Sequence, residues 1–180
     1  MAADYLAASL RPLPFNGPAP YTLEAFMALC REQLNTRDAE VIVALLTEAP
    51  SSHPLVRIWR DLDTQMRNTS ATERGRLLGC DAARWRRPTS GCSLFWTNRI
   101  LAAFQEKDPA RREDLIDRAR WDAAAELTPP DRPLSAAALF TYAVRLSIVS
   151  RRAARDAVAG NEVLTRLTAA SKTDLEGKQA

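Results

Sequence analysis

Few residues in this chain could do chemistry, and their spacing argues against catalysis. A single histidine, His53, stands with three cysteines, Cys30, Cys80 and Cys92. A cysteine nucleophile needs a base within hydrogen-bond reach, and no local motif aims His53 at any of the three. An odd number of well-separated cysteines without a CxxC pair reads as reduced, small apolar side chains in a cytoplasmic protein, not as a disulfide framework. One histidine removes an HExxH zinc site and leaves little imidazole for acid–base work. The six glycines, at 17, 75, 79, 91, 160 and 177, form neither a GxxxxGKS/T nor a GxGxxG pattern, so no backbone cradle for phosphates is expected. The carboxylates at 38, 40, 113, 114, 117 and 122 lie among arginines on helical patterns and read as solvated faces with i,i+4 charge pairs. The expectation is a protein without catalysis, metal or cofactor.

Two groups of residues look instead like contact surface. Arg84, Arg86 and Arg87 around Trp85 have the chemistry for nucleic acid, because guanidinium groups neutralise phosphates while an indole stacks on a base. The formal net charge is only +3, however, although 22 arginines accompany three lysines. Without a strong basic footprint, the cluster reads as a buried tryptophan with solvated neighbours, and no nucleic-acid partner is expected. The second group is the N-terminal Asp4-Tyr5-Leu6-Ala7-Ala8-Ser9-Leu10-Arg11-Pro12-Leu13-Pro14-Phe15. Its apolar side chains each gain about 1.5–3 kcal/mol on full burial, so the segment must dock on its own domain or on a partner. Tyr5, Leu13, Phe15 and Trp121, together with Arg84, Trp85, Arg86 and Arg87, are the partner-contact candidates, weighed against packing within the chain.

The elements that position these residues are helical. Pro12, Pro14, Gly17, Pro18 and Pro20 make a stiff loop, after which Thr22 caps a helix carrying Leu23, Phe26, Met27, Cys30 and Leu34 on one face. Asn35 or Thr36 caps the next, with Val41, Ile42, Leu45 and Leu46. Ser52 or His53 before Pro54 starts a third, with proline at the favoured first position and Leu55, Ile58, Trp59, Leu62 and Met66 as its stripe. Ser70 and Glu73 have capping-box spacing and predict a restarted helix ending at Gly79. Residues 79–91 are irregular. A helix with Phe95, Trp96, Ile100, Leu101 and Phe104 follows, then one started by Asp108-Pro109 whose stripe of Ile116, Ala119, Ala123 and Leu127 leaves Trp121 off it. After the Pro129-Pro130 break, Ser135 caps the longest helix, running to about Gly160, apolar over so much of its circumference that it belongs at the centre of a bundle. A further turn around Val163, Leu164 and Leu167 precedes a polar tail, residues 171–180, expected to fray.

The reading is an all-α bundle of about six to eight helices in a single domain over residues 1–170, with no alternating strand pattern. A content of 46% hydrophobic and 26% charged residues is ordinary for a globular chain. No run of 18 apolar residues and no basic leader segment occurs, so neither a membrane span nor a secretory signal is expected.

Two stretches carry a family resemblance. DYLAASLRPLPFNGPAPYTLEAFMALC resembles the opening of the small bacterial DUF2764 proteins, an aromatic segment followed by a proline-rich turn and a helix ending near a cysteine. Asp114 to Asp122, the proline break, and Tyr142 to Gly160 with its Tyr-x-x-x-Leu pattern resemble that family's C-terminal half, with Arg152 standing where an aromatic would be expected. The resemblance implies association with bacterial V/A-type rotary ATPases and kinship with their helical C (d-type) stalk subunit. It thus implies a cytoplasmic accessory or central-stalk subunit that reaches the inner face of the membrane only through ATPase subunits as partners. The alternative is a helical adaptor or regulator unrelated to ion transport.

Overall fold

The computed structural model describes residues 2–155 of the 180-residue chain, and among these every regular element is helical. Seven α-helices follow in order: α1 (Ala2–Ser9), α2 (Leu23–Gln33), α3 (Thr36–Thr47), α4 (Pro54–Leu78), α5 (Leu94–Ala103), α6 (Pro109–Ala123) and α7 (Ala136–Ala153). Two 3-10 helices, Ala83–Trp85 and Ala124–Leu127, lie between them. The last helix ends at Ala153, capped by Ala154 and short of the expected end near Gly160, while the expected turn around Val163 to Leu167 and the 171–180 tail lie outside the described residues.

Local capping chemistry sets most of the starts. Thr22 accepts a hydrogen bond from the Ala25 N–H at 3.1 Å, Asn35 from Asp38 N–H at 2.9 Å, Ser93 from Trp96 N–H at 3.4 Å and Asp108 from Ala110 N–H at 2.9 Å. Each bond satisfies a first-turn donor that has no partner inside the helix. His53 does the same with its ring, Nδ1 accepting from Leu55 N–H at 3.3 Å ahead of Pro54, while its imidazole packs edge-on against Phe140.

Three further boundaries differ from expectation. The capping box at Ser70 is not used, and α4 runs unbroken for 25 residues to Gly79, whose φ of 66° supplies the left-handed cap. Ser70 is buried and its hydroxyl donates back to the Met66 carbonyl at 3.0 Å, so it bonds within the helix instead of restarting one. That makes α4, not the helix after Ser135, the longest among the described residues. Ser135 occupies the cap position of α7 but donates to the Arg132 carbonyl at 2.9 Å, leaving the first turn of α7 uncapped by a side chain. The N-terminal apolar segment, read only as needing a dock, begins with helix α1.

Two apolar clusters form the core, and α7 feeds both. Leu139, Phe140, Ala143 and Leu146 join Leu6 of α1, Phe26 and Cys30 of α2, and Val41 and Ile42 of α3. Val144, Ile148 and Val149 join Trp59, Leu62 and Met66 of α4, Trp96 and Ile100 of α5, and Ile116 and Trp121 of α6. A helix that serves two clusters must be apolar on two sides, which is why α7 is central. No helix among the described residues is long and apolar enough to cross a membrane.

Candidate functional site

The N-terminal segment spends its apolar surface inside the molecule. Leu6 is fully buried, and Leu13 packs against both clusters. Phe15 meets the Trp121 ring edge-to-face, centroids 5.4 Å apart, and lies between the guanidinium groups of Arg118 and Arg152, 5.2 and 4.2 Å from its centroid. Tyr142 of α7 donates its hydroxyl proton to the Arg11 carbonyl at 3.0 Å and completes an aromatic group with Tyr21 and Phe26. Burial, with Tyr21 adding to it and Arg11 opposing, pushes the Tyr142 phenol up to about 12. Trp121, off the apolar stripe of α6, is only 8% exposed because it serves this second neighbour, and Arg145 covers its other side with the centroid at 4.7 Å. Of the contact candidates in this part of the chain, Tyr5 alone faces solvent, 73% exposed.

The loop from Gly79 to Ser93 is held differently. Three polar side chains of α4 at helical spacing, Asp61, Gln65 and Asn68, clamp its backbone. Asn68 pairs with both main-chain groups of Arg87, accepting from N–H at 2.9 Å and donating to the carbonyl at 2.7 Å. Asp61 accepts from Ser90 N–H at 2.7 Å, and Gln65 accepts from Ser93 N–H at 2.7 Å while donating to Asp61 at 3.0 Å. Against the burial that would raise it, the bonds from Ser90 and Gln65 hold the Asp61 carboxyl below its usual value. Because the main chain is anchored by polar groups, the side chains are left outward. Trp85 is 48% exposed with the Arg84 guanidinium stacked on its ring at 4.0 Å, which corrects the expectation of a buried tryptophan. Arg84, Arg86 and Arg87 are exposed. Of ten exposed large apolar residues among the described residues, five lie in this stretch and its edges: Leu77, Leu78, Trp85, Leu94 and Phe95. A polar stripe on a long helix followed by an irregular loop was the sequence signal for this clamp.

Between these regions lies a layer of charge that the sequence reading placed in solvent. Asp117, expected on a solvated face, is 1% exposed, and Asp63 and Arg120 are buried with it. Arg120 Nε donates to Asp63 at 2.6 Å, and Arg67 Nε contacts the same carboxylate at 2.7 Å. Asp117 accepts from Arg151 and Arg155 of the α7 end, and Arg152 pairs with Asp114 at 2.5 Å. The reason is position: Asp117 lies on the side of α6 where the arginines of α7 arrive. A buried carboxylate persists only when paired and hydrogen-bonded. The signal was legible in part, since Arg120 stands four residues after Ile116 and three before Ala123, inside a core stripe, and Asp63 stands likewise between Trp59 and Met66. The expected i,i+4 pairing does occur at Arg118–Asp122, 3.1 Å.

The thiols differ in setting. Cys30 is buried in the core, and that burial pushes it up to about 12, so it stays a protonated apolar side chain. Cys80 and Cys92 are exposed on the 79–93 loop. Among the described residues no group of three His, Cys, Asp or Glu side chains is placed to hold a metal ion. No family model, no curated protein and no solved structure matches this chain.

Proposed function

We propose that this chain is a non-catalytic accessory or central-stalk subunit of a bacterial V/A-type rotary ATPase, working by protein–protein contact. The observation that carries the docking part of this reading is the outward-facing segment from Leu77 to Phe95, where clamped backbone presents exposed apolar and arginine side chains together. Tryptophan and arginine are the residues most enriched among interface anchors, and a pre-ordered loop loses little conformational freedom on binding. The identity of the partner rests on the DUF2764 resemblance of residues 4–30 and 114–160. In this reading the helical body is a spacer between the rotating axle and the membrane ring, and the arginines around Trp85 orient the encounter in a salt-sensitive way.

The test is affinity purification from the native host in gentle detergent, with a photo-crosslinking residue in place of Trp85. Recovery of ATPase subunits, one of them joined at position 85, is the expected result. Recovery of an unrelated cytosolic partner in their place would overturn the ATPase reading in favour of an adaptor. Recovery of ATPase subunits that crosslink only when the photo-crosslinking residue replaces Tyr5, in a second variant, would move the docking edge to α1.

A further inference from the structure

The charge layer borders two adjoining clefts, of about 350 and 330 Å³, between α4, α6 and α7. Arg67, Arg120 and Arg151 line both. Together the two concavities are lined by seven arginines and four carboxylates, an excess of three positive charges, equal to the formal net charge of the entire chain. That excess lies on concave surface.

The carboxylates hold the guanidinium groups without using up their donors. Arg67 and Arg120 both reach Asp63 through Nε, at 2.7 and 2.6 Å, and their Nη nitrogens reach Glu48 and Asp117 only at 3.8 and 3.9 Å. Each guanidinium has five N–H donors, four of them on the Nη pair. No fully buried side-chain nitrogen or oxygen lacks a partner among the described residues, and buried Arg120 lines both clefts. Arg60 is fixed by main-chain carbonyls alone, those of Ala44 and Ala49. Burial, and then repulsion from Arg120, holds the Arg151 guanidinium below its ordinary value, with Asp117 opposing and Arg155 adding to the repulsion. Two buried aspartates therefore orient a row of cations whose charge they do not balance.

We propose that this double cleft binds a small multiply charged oxyanion of the diphosphate class, held by the guanidinium groups of Arg67, Arg120 and Arg151 that line both clefts. A diphosphate places several charges on few atoms and comes close to offsetting the local excess, which a monocarboxylate does not. Its oxygens suit the planar fork of arginine, and the donors are oriented before the ligand arrives. The cleft meets the Trp85 surface at Arg87, but the three arginines that line both clefts lie outside that loop, and the site does not depend on the identity of any protein partner.

Titration calorimetry and thermal unfolding of the full chain with inorganic pyrophosphate, orthophosphate and ionic-strength-matched sodium chloride test it. Pyrophosphate is expected to bind saturably, to raise the melting temperature beyond the chloride control, and to bind more tightly than orthophosphate. Arg67→Gln and Arg151→Gln should each weaken pyrophosphate by about tenfold or more, from the loss of charge-assisted hydrogen bonds. Arg132→Gln, remote from the clefts, should leave it unchanged. Arginine modification by phenylglyoxal, mapped by mass spectrometry, gives a readout on the unaltered chain in case a variant misfolds: pyrophosphate should protect Arg67 and Arg151 and not Arg132. A pyrophosphate effect no larger than that of matched chloride, binding unchanged in both variants, or equal modification with and without ligand would each overturn the proposal.

Discussion

The N-terminal segment and the loop after α4 carry similar residues, aromatics beside arginines, yet one turns them inward and the other outward. In the first, Phe15 lies on Trp121 between two guanidinium groups, and Tyr142 ties Arg11 to α7. In the second, Trp85 lies under Arg84 in solvent while Asn68, Asp61 and Gln65 grip the main chain. A segment held by its side chains has little left to offer a partner. One held by its backbone keeps its side chains free. That contrast, more than residue type, separates structural aromatics from docking candidates in this molecule.

The sharpest break of the comparison is at the side-chain end. Leu6→Ala should destabilise the fold by about 2–5 kcal/mol, the range for a fully buried leucine, and Phe15→Ala by somewhat less because Phe15 is only half-buried. Both are read from urea midpoints, and a loss below about 0.5 kcal/mol for Leu6→Ala would mean that α1 does not dock as described.

Tyr142→Phe removes the bond to the Arg11 carbonyl and should cost about 0.5–1.5 kcal/mol at neutral pH. Burial of the same phenol sets an alkaline limit. The phenol ionises at 10.0 when unperturbed and at about 12 in the fold, so below 10 its contribution is complete. Between these values the unfolded chain releases its proton first, and stability falls as pH rises. Cys30, raised from 9.0 to about 12, acts in the same direction from a lower starting pH. Melting temperature should therefore decline from about pH 9 to 12, less steeply in Tyr142→Phe than in the unaltered chain; identical slopes would remove Tyr142 from the account.

At the backbone-held end, Asn68→Ala should cost about 1 kcal/mol globally, yet it should make the 79–93 loop the first site of proteolysis, because both main-chain groups of Arg87 lose their partner. Smallest of all, Trp85→Ala should change stability by no more than about 0.5 kcal/mol while lowering partner recovery. A large stability loss at Trp85 would put it in the same class as Phe15 and end the contrast.

Much of the fold was legible from local chemistry. Thr22, Asn35, His53-Pro54 and Asp108 mark helix starts by the bonds their own side chains make to nearby N–H groups, so neighbours within three residues suffice to define them; Ser93, which the sequence did not single out, makes the same kind of bond. The all-α class and the central place of α7 follow from apolar periodicity, which any partner helix would satisfy. The same local reading failed where two local signals competed: Ser70 offered a cap, but its back-bond to Met66 kept α4 continuous.

What the amino-acid order by itself determined, then, is where helices begin and which of their faces seek burial. Which neighbour answers each face was decided only by the tertiary structure. Phe15 and Trp121 are 106 positions apart and still close each other off, while Trp85 finds only the arginine beside it. Asp117 is solvated on an isolated α6 and becomes a buried acceptor only once Arg151 and Arg155 arrive from α7. Exposure and the pairing of charge depend largely on contacts between residues remote along the chain, and local pattern encodes only a part of them, such as the Arg118–Asp122 pair.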